Sequence, residues 1–437
     1  MQIKQNKSVS SLAVFFRRSL KILEMKKKIN VYLYGIGGIY NYGCEAMIRA
    51  ISGRIKNEEP NSTITYKTYN YEYDKKLLAD CETVKVSALD VHARNSSFNH
   101  KLIRSLKFIK KKMNIAKEED RLPYNTEWLE DCDYLIIIGG DVFDLLPGQT
   151  KGYDNERIWA SKVAKKHNSK IILWGISIGN FEANPTAKKI LFDYLKNVVD
   201  VAVIRDEKSL EYLKENGITN AFLCADPAYM LRTEQTTLES IDNTKTLGVN
   251  LSPLANRYLN VKLKDDQWPV LWSDILIDIY NRYNYQKILL LPHVVNENNP
   301  SDDDYNYLMK IKSTLSGKGI NVEIAPKHVG FIGIKKYLIK CNLIMSARMH
   351  CSVNAITCGV PTLFLSYSPK SVGMCQFVYG NTDYVVDMNE LSNNIDYDLF
   401  DRIDRSSDEI RSFLSVRNEE LCELSRKAIS YLDMKER

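Results

Sequence analysis

Along the chain, short apolar runs alternate with longer stretches in which apolar residues recur every three or four positions. The first run, Ile29-Asn30-Val31-Tyr32-Leu33-Tyr34, stops at Gly35, and helical periodicity follows over 43–56. Further runs fall at 134–138, 171–174, 201–204, 247–251, 288–291, 343–345 and 362–365. Each is short, rich in β-favouring residues and bounded by Gly, Pro or a polar turn. Helical patterns of ten or more residues separate many of them. Strands buried on both faces read this way, so the pattern predicts parallel sheets covered by helices.

A length of 437 residues suits two or three domains at about 150 residues each. The polar stretch 233–245 reads as a linker between an N-terminal α/β unit, 29–232, and a C-terminal one, 246–400. Residues 1–28 form a basic appendage, and a polar helical tail, 401–437, is placed to pack across the domain boundary. The expected architecture is α/β: two Rossmann-like domains facing a cleft.

Composition excludes some classes. With 44% hydrophobic residues the chain can bury sizeable cores, which rules out global disorder. The net charge of +6 is unevenly spread. Residues 1–30 hold eight basic residues against Glu24, and 101–117 hold seven with no acid. The rest of the chain is therefore net acidic, which argues against a nucleic-acid partner. In 97–117, Phe98, Leu102, Leu106, Ile109 and Met113 share one helical face. This is either a surface helix packed on the sheet or a basic amphipathic helix meeting an anionic membrane or substrate. No apolar run reaches the roughly 18 residues needed to span a bilayer, and Arg17-Arg18 end the run 12–16 too early for a signal peptide. Nine scattered cysteines without a CxxC pair fit reduced thiols, hence a cytoplasmic location and no metal site.

Candidate chemistry gathers at the ends of the predicted strands. The turn Gly35–Gly43 follows a strand and opens a helix, so its N–H groups suit an anion or a polar substrate. Tyr40 stands where GxGxxG needs its third glycine, and no Gly-Lys-Ser/Thr follows, so neither a dinucleotide fingerprint nor a P-loop is present. Gly139-Gly140-Asp141 and Gly175–Gly179 end two further strands. In the second unit Ser346-Ala-Arg348-Met-His350 leaves a strand and 351–358 reads as a short helix. Read as extended, the segment faces Arg348 and His350 one way and Met349 the other. A permanent cation and an imidazole beside a helix N-terminus suit a carboxylate or a phosphate. Lys370 and His293 end neighbouring strands on the same edge, and Arg205 ends one in the first unit. Asp226, in a strand-end turn, reads as structural.

In this order the residues resemble the polysaccharide pyruvyl transferase family, from about Ile29 to Val386. The landmarks are Asn41-Tyr-Gly-Cys-Glu45-Ala46, Gly139-Gly140, Arg205-Asp-Glu-Lys-Ser209, Asp226-Pro227, Leu291-Pro-His293, Arg348-Met-His350 with Gly359-Val-Pro361, and Ser366-Tyr-Ser-Pro-Lys370. The resemblance implies a glycosyltransferase-B-like fold and transfer of a pyruvyl group from phosphoenolpyruvate to two hydroxyls of a sugar, forming a ketal. Arg205, His350 and Lys370 match the family's cleft residues and Arg348 belongs to the same motif, so these four are the expected catalytic set. Asn41, Tyr42, Glu45, Gly139, Gly140, Asp141 and His293 are the expected substrate-binding residues. Cys44 stands where the family usually has an acid, and Asp141 where it often has a further glycine. Both departures lie on the acceptor-facing side.

Phosphoenolpyruvate would serve as donor substrate, with no cofactor and no metal. Arg348, Lys370 and Arg205 would hold its two anionic groups. His350 would deliver a proton to the methylene carbon or pair with the phosphate. Glu45, Asp141 and Asp226 are the carboxylates available to accept a hydroxyl proton. The acceptor would be a saccharide of a cell-surface polysaccharide. If it is lipid-linked, segments 1–28 and 101–117 would hold the enzyme at an anionic inner-membrane surface. A nucleotide-sugar-dependent glycosyltransferase and a non-catalytic carbohydrate-binding relative share the expected fold.

Overall fold

The computed structural model describes residues 28–91, 118–146, 148–232, 244–392 and 395–434. The basic segment 1–28 (all but Lys28) and the basic amphipathic stretch 97–117 lie outside the described residues, as does most of the linker, 233–243.

Two parallel sheets organise the chain. The first contains β1 (Asn30–Tyr34), β2 (Thr63–Thr68), β3 (Lys85–Ala88), β4 (Tyr134–Ile138), β5 (Lys170–Ile176), β6 (Val201–Ile204) and β7 (Ala221–Leu223), in the order β3-β2-β1-β4-β5-β6-β7. The second contains β8 (Thr246–Asn250), β9 (Lys287–Leu290), β10 (Val322–Ile324), β11 (Leu343–Ser346), β12 (Thr362–Ser366) and β13 (Val385–Asp387), in the order β10-β9-β8-β11-β12-β13. Strand order reverses between β1 and β4 and again between β8 and β11. At such a reversal the crossovers leave to opposite faces, opening a crevice beyond the strand C-termini.

Every residue of β4, β8, β11 and β12 is buried, which is why they appear in the sequence as unbroken apolar runs. The edge strands β3 (KVSA), β10 (VEI) and β13 (VVD) are partly solvated and carry no such run.

Six helices border the crevice or join the two units: α1 (Tyr42–Glu58), α2 (Tyr71–Leu77), α3 (Asp304–Gly317), α4 (Met349–Thr357), α5 (Pro369–Tyr379) and α6 (Ser407–Arg426). The two units touch closely around α1. Its N-cap loop pairs with the strap after β9, through Tyr42 N–H to the His293 carbonyl at 3.0 Å and Val295 N–H to the Tyr40 carbonyl at 2.9 Å. The carboxylate of Glu45 accepts the Phe331 N–H at 2.7 Å.

Helix α6 buries Ile410, Leu414 and Leu421 against the second unit. Ser425, near its end, donates to the Asp226 carbonyl of the first unit at 3.1 Å. The 3-10 turn Lys427–Tyr431 and the residues after it add Ala428, Ile429, Leu432 and Met434 to the core under the first sheet. Tyr431 stacks on Phe222 of β7 with ring centroids 4.2 Å apart.

Candidate functional site

The C-terminal ends of β1, β4 and β6 face those of β8, β11 and β12 across a cavity of about 340 Å³. Each strand delivers its side chain through a short turn. Ser346 and Ser366, ending β11 and β12, each donate to the carbonyl two residues on (Arg348 at 2.8 Å, Ser368 at 2.9 Å) and so fold the chain sharply into α4 and α5. Neither N-cap, Arg348 nor Ser368, offers a side-chain acceptor to its helix, whereas Asn41 caps α1 by accepting from Gly43 N–H. Two helix N-termini therefore meet the cavity without a side-chain cap, an arrangement that favours an anion.

Arg205, following β6, is 2% exposed. It donates through Nε to Ser177 at 2.9 Å and through Nη1 to Asp226 at 2.9 Å, and its Nη2 lies 3.6 Å from Asp141. From the other unit, His350 Nε2 stands 3.3 Å from the same Asp226 oxygen and 3.5 Å from Arg205 Nη1. Burial works to raise the Asp226 carboxyl, but His350 and Arg205 hold it well below the ordinary carboxylate range. It is a buried anion fixed between two positively polarised groups. Two glycines make room for this. A Cβ on Gly140 would sit 2.0 Å from Arg205 Nη2, and one on Gly43 would sit 2.1 Å from His350 Cγ. Gly139, at φ +119°, turns the chain out of β4 in a conformation open mainly to glycine.

Arg348 is held by two aspartates at the start of α3. Its Nη2 donates to Asp302 at 2.6 Å and to Asp304 at 2.9 Å, and its Nε donates to Asp304 at 3.1 Å. The second Asp304 oxygen accepts from His293 and Val294 N–H groups. Asn250, at the end of β8, accepts the Arg348 N–H at 2.9 Å and donates to the Leu291 carbonyl. Nη1 of Arg348 has no partner among the described residues and remains available. Lys370, 40% exposed, reaches across the cleft to Asp141 at 2.8 Å and Asp144 at 2.9 Å. Burial works against its charge, but the two carboxylates outweigh it and raise its pKa. Arg205 and Lys370 likewise hold the Asp141 carboxyl down against the effect of burial.

Arg205, Arg348, His350, Lys370, Asn41, Gly139, Gly140 and Asp141 all line the cavity. Three other expected residues lie behind it. Tyr42 is fully buried, its ring tilted against His293 at 5.8 Å. His293 is fully buried, and burial pushes its imidazole down to about 3, so it is neutral. Glu45 is spent on Arg49 and the Phe331 N–H, and burial raises its carboxyl. These three hold the two units together behind the cavity wall. The extended reading of 346–350 also fails: α4 begins at Met349, so Met349 and His350 share its first turn and both line the cavity.

Sequence reasoning missed Arg157, Asp302 and Asp304. Arg157 donates to the Gly35 carbonyl at 2.6 Å and lines the cavity. The acidic run Asp302-Asp303-Asp304 ahead of a helical stretch was the available signal for Arg348's partners. Cys44 also lines the cavity; burial pushes its thiol up to about 12 although Arg205 opposes this, so it is not a thiolate nucleophile.

Two Rossmann-like units meeting at their switch points define the glycosyltransferase-B class of fold. Solved structures agree. A UDP-GlcNAc 2-epimerase from Neisseria meningitidis superposes with a TM-score of 0.55 at 13% identity, over 92% of this chain and 98% of that one. A putative UDP-N-acetylglucosamine 2-epimerase from Listeria monocytogenes gives 0.53 at 12% (93% and 96%). A glycosyltransferase from Rickettsia africae gives 0.51 at 13% (94% and 100%). At such identities the likeness is one of fold. The sequence narrows it further: the profile of the polysaccharide pyruvyl transferase family matches residues 41–369, and the chain belongs to that family. It is also 22% identical over 262 residues to the amylovoran biosynthesis protein AmsJ of Erwinia amylovora, an alignment covering 57% of this chain and 60% of that protein. The chain thus spans about three fifths of the length of that curated relative. Among the described residues, no helix is long and apolar enough to cross a membrane.

Proposed function

We propose that the chain transfers the pyruvyl group of phosphoenolpyruvate to two hydroxyls of a saccharide, releasing phosphate and closing a cyclic ketal. The observation that carries this reading is the meeting of Arg205 and His350, one from each unit and 3.5 Å apart, beneath two helix N-termini without side-chain caps. A small dianionic or trianionic donor needs such converging donors and little apolar wall.

The cations differ in how readily they serve. Arg205 is buried, Arg348 is mostly covered at 11% exposed, and both are fixed by carboxylates, so they act in place; Arg348 offers Nη1. Lys370 is partly exposed, and ion pairs of that kind are worth about 0–1 kcal/mol. It can leave Asp141 and Asp144 for the phosphate at little cost. The proton account closes on one residue. His350, backed by Asp226, protonates the methylene carbon as the first hydroxyl oxygen bonds to the adjacent carbon. The proton of that hydroxyl leaves with the phosphate. The second hydroxyl then bonds to the same carbon and gives its proton to His350, restoring it. Asp141, held below the usual carboxylate range and paired with Lys370, orients rather than accepts.

A thermal-shift panel tests the donor. At 100 times its Kd a ligand stabilises by about 2.7 kcal/mol, so phosphoenolpyruvate is expected to raise the melting temperature where nucleoside diphosphates do not. Selective stabilisation by a nucleotide would overturn the reading in favour of a nucleotide-sugar transferase. Phosphate release on addition of a saccharide acceptor completes the test.

A further inference from the structure

A second cavity, of about 290 Å³, opens between the units on the other side of Tyr40, whose side chain lines both. Tyr40 is the residue the two linings share, and Val295, whose N–H donates to the Tyr40 carbonyl, lines the second cavity. This cavity differs in chemistry from the first. Tyr40, Tyr73 and His328 supply aromatic faces, and Asn70, Asn296 and Asn298 supply three side-chain amides. None of those amides has a side-chain hydrogen bond to another described residue. The charges nearly cancel: Glu297 is paired with Lys327 at 2.7 Å and lies 3.7 Å from His328, and Lys76 is the other ion on the wall. Phosphate has little to hold it here. Flat apolar faces beside unspent amide donors and acceptors suit the alternating C–H and O–H faces of a pyranose. The volume is near the lower end of the roughly 300–1,000 Å³ of small-molecule sites.

The walls are built from both units. Tyr73, in α2, donates to or accepts from His328 Nδ1 at 3.1 Å, with the rings edge-to-face at 5.4 Å. His328 is held at φ +57°, a left-handed conformation that histidine, like asparagine and aspartate, adopts more readily than most residues. Buried Asp74 fixes the Tyr40 loop from beneath, accepting from Ile39 N–H, Tyr66 and Thr68.

We infer that this cavity is an acceptor subsite: it holds the sugar next to the one that receives the pyruvyl group, so the enzyme selects an oligosaccharide rather than a monosaccharide. The assignment rests on the reading of the chain as a transferase onto a saccharide, and its test runs separately from the donor. Mono- to tetrasaccharides, size-fractionated after partial acid hydrolysis of the host's own surface polysaccharide, serve as probes for titration by saturation-transfer NMR. The full chain is expected to bind the disaccharide and longer fractions at least tenfold more tightly than the monosaccharides. Tyr73→Ala and Asn298→Ala are each expected to erase most of that difference, with monosaccharide binding and the phosphoenolpyruvate thermal shift unchanged. Asn298 is exposed, so its variant tests the subsite even if Tyr73→Ala folds poorly. Equal affinity for all lengths, no binding of any fraction, or a wild-type length preference in Asn298→Ala would overturn the inference. Loss of the phosphoenolpyruvate shift in the wild-type chain would overturn the donor reading alone.

Discussion

Replacing Gly43 by alanine tests whether the His350 ring works where it lies. The added Cβ would fall 2.1 Å from His350 Cγ, 2.2 Å from Nδ1 and 2.6 Å from its Cβ. Ordinary carbon contacts begin near 3.4 Å, so the imidazole must retreat by about 1 Å, and a displacement of that size at a reacting group costs about 10²-fold in rate. Retreat also pulls Nε2 away from Asp226. The stability cost is smaller: overpacking costs about 1–3 kcal/mol, and alanine returns up to about 1 kcal/mol over glycine in a helix. Gly53 supplies a matched control on the same helix, because a Cβ there meets nothing within 4 Å. Phosphate release from phosphoenolpyruvate and a saccharide acceptor is the assay, with denaturant unfolding alongside. Gly43→Ala is expected to lose about 10²-fold in kcat, and Gly53→Ala to keep its rate and gain a few tenths to about 1 kcal/mol. Combined with His350→Ala, the Gly43 change should add almost nothing, since both act through one group. A Gly43→Ala enzyme within about threefold of wild type would refute the assigned position of His350.

Three further outcomes are expected. Lys370→Ala should lower turnover by about 10²–10³-fold while unfolding within about 1 kcal/mol of wild type; near-normal phosphate release would remove Lys370 from the site. Asp304→Asn leaves Arg348 and its neighbouring N–H donors against a neutral amide, and should destabilise by about 3 kcal/mol. Chemical unfolding indistinguishable from wild type would contradict that. His293, neutral in the fold down to about pH 3, takes up a proton in the unfolded chain below about pH 6.5. Its contribution is complete above pH 6.5 and is lost as pH falls toward 3, costing about 2 kcal/mol between pH 6.5 and 5. His293→Gln should lack this loss, and unfolding curves that track wild type at both pH values would count against it.

Legibility in the sequence followed burial. β4, β8 and β12 announce themselves because both faces are covered, whereas β3, β10 and β13 alternate or carry charge and leave no run. Arg205, His350 and Lys370 stand out because each follows closely on a central strand. Their partners do not, because the pairs are made across the fold: Asp141 and Asp144 stand 229 and 226 residues from Lys370. Glu45 and His293 carry the right spacing for a site but point behind it, since the helix face and strap that carry them are the contact between the units. The turn at Arg348 looks extended in sequence because the residue that folds it, Ser346, acts from two positions earlier.

The contribution of Ala428, Ile429, Leu432 and Met434 to the core under the first sheet has a consequence for biosynthesis. The N-terminal unit emerges from the ribosome first, yet the residues that close its hydrophobic underside follow the whole second sheet. At about 5–20 residues per second, the roughly 200 intervening residues leave that surface open for about 10–40 s. A nascent chain arrested after Arg232 should therefore recruit hydrophobic-surface chaperones that the finished protein sheds.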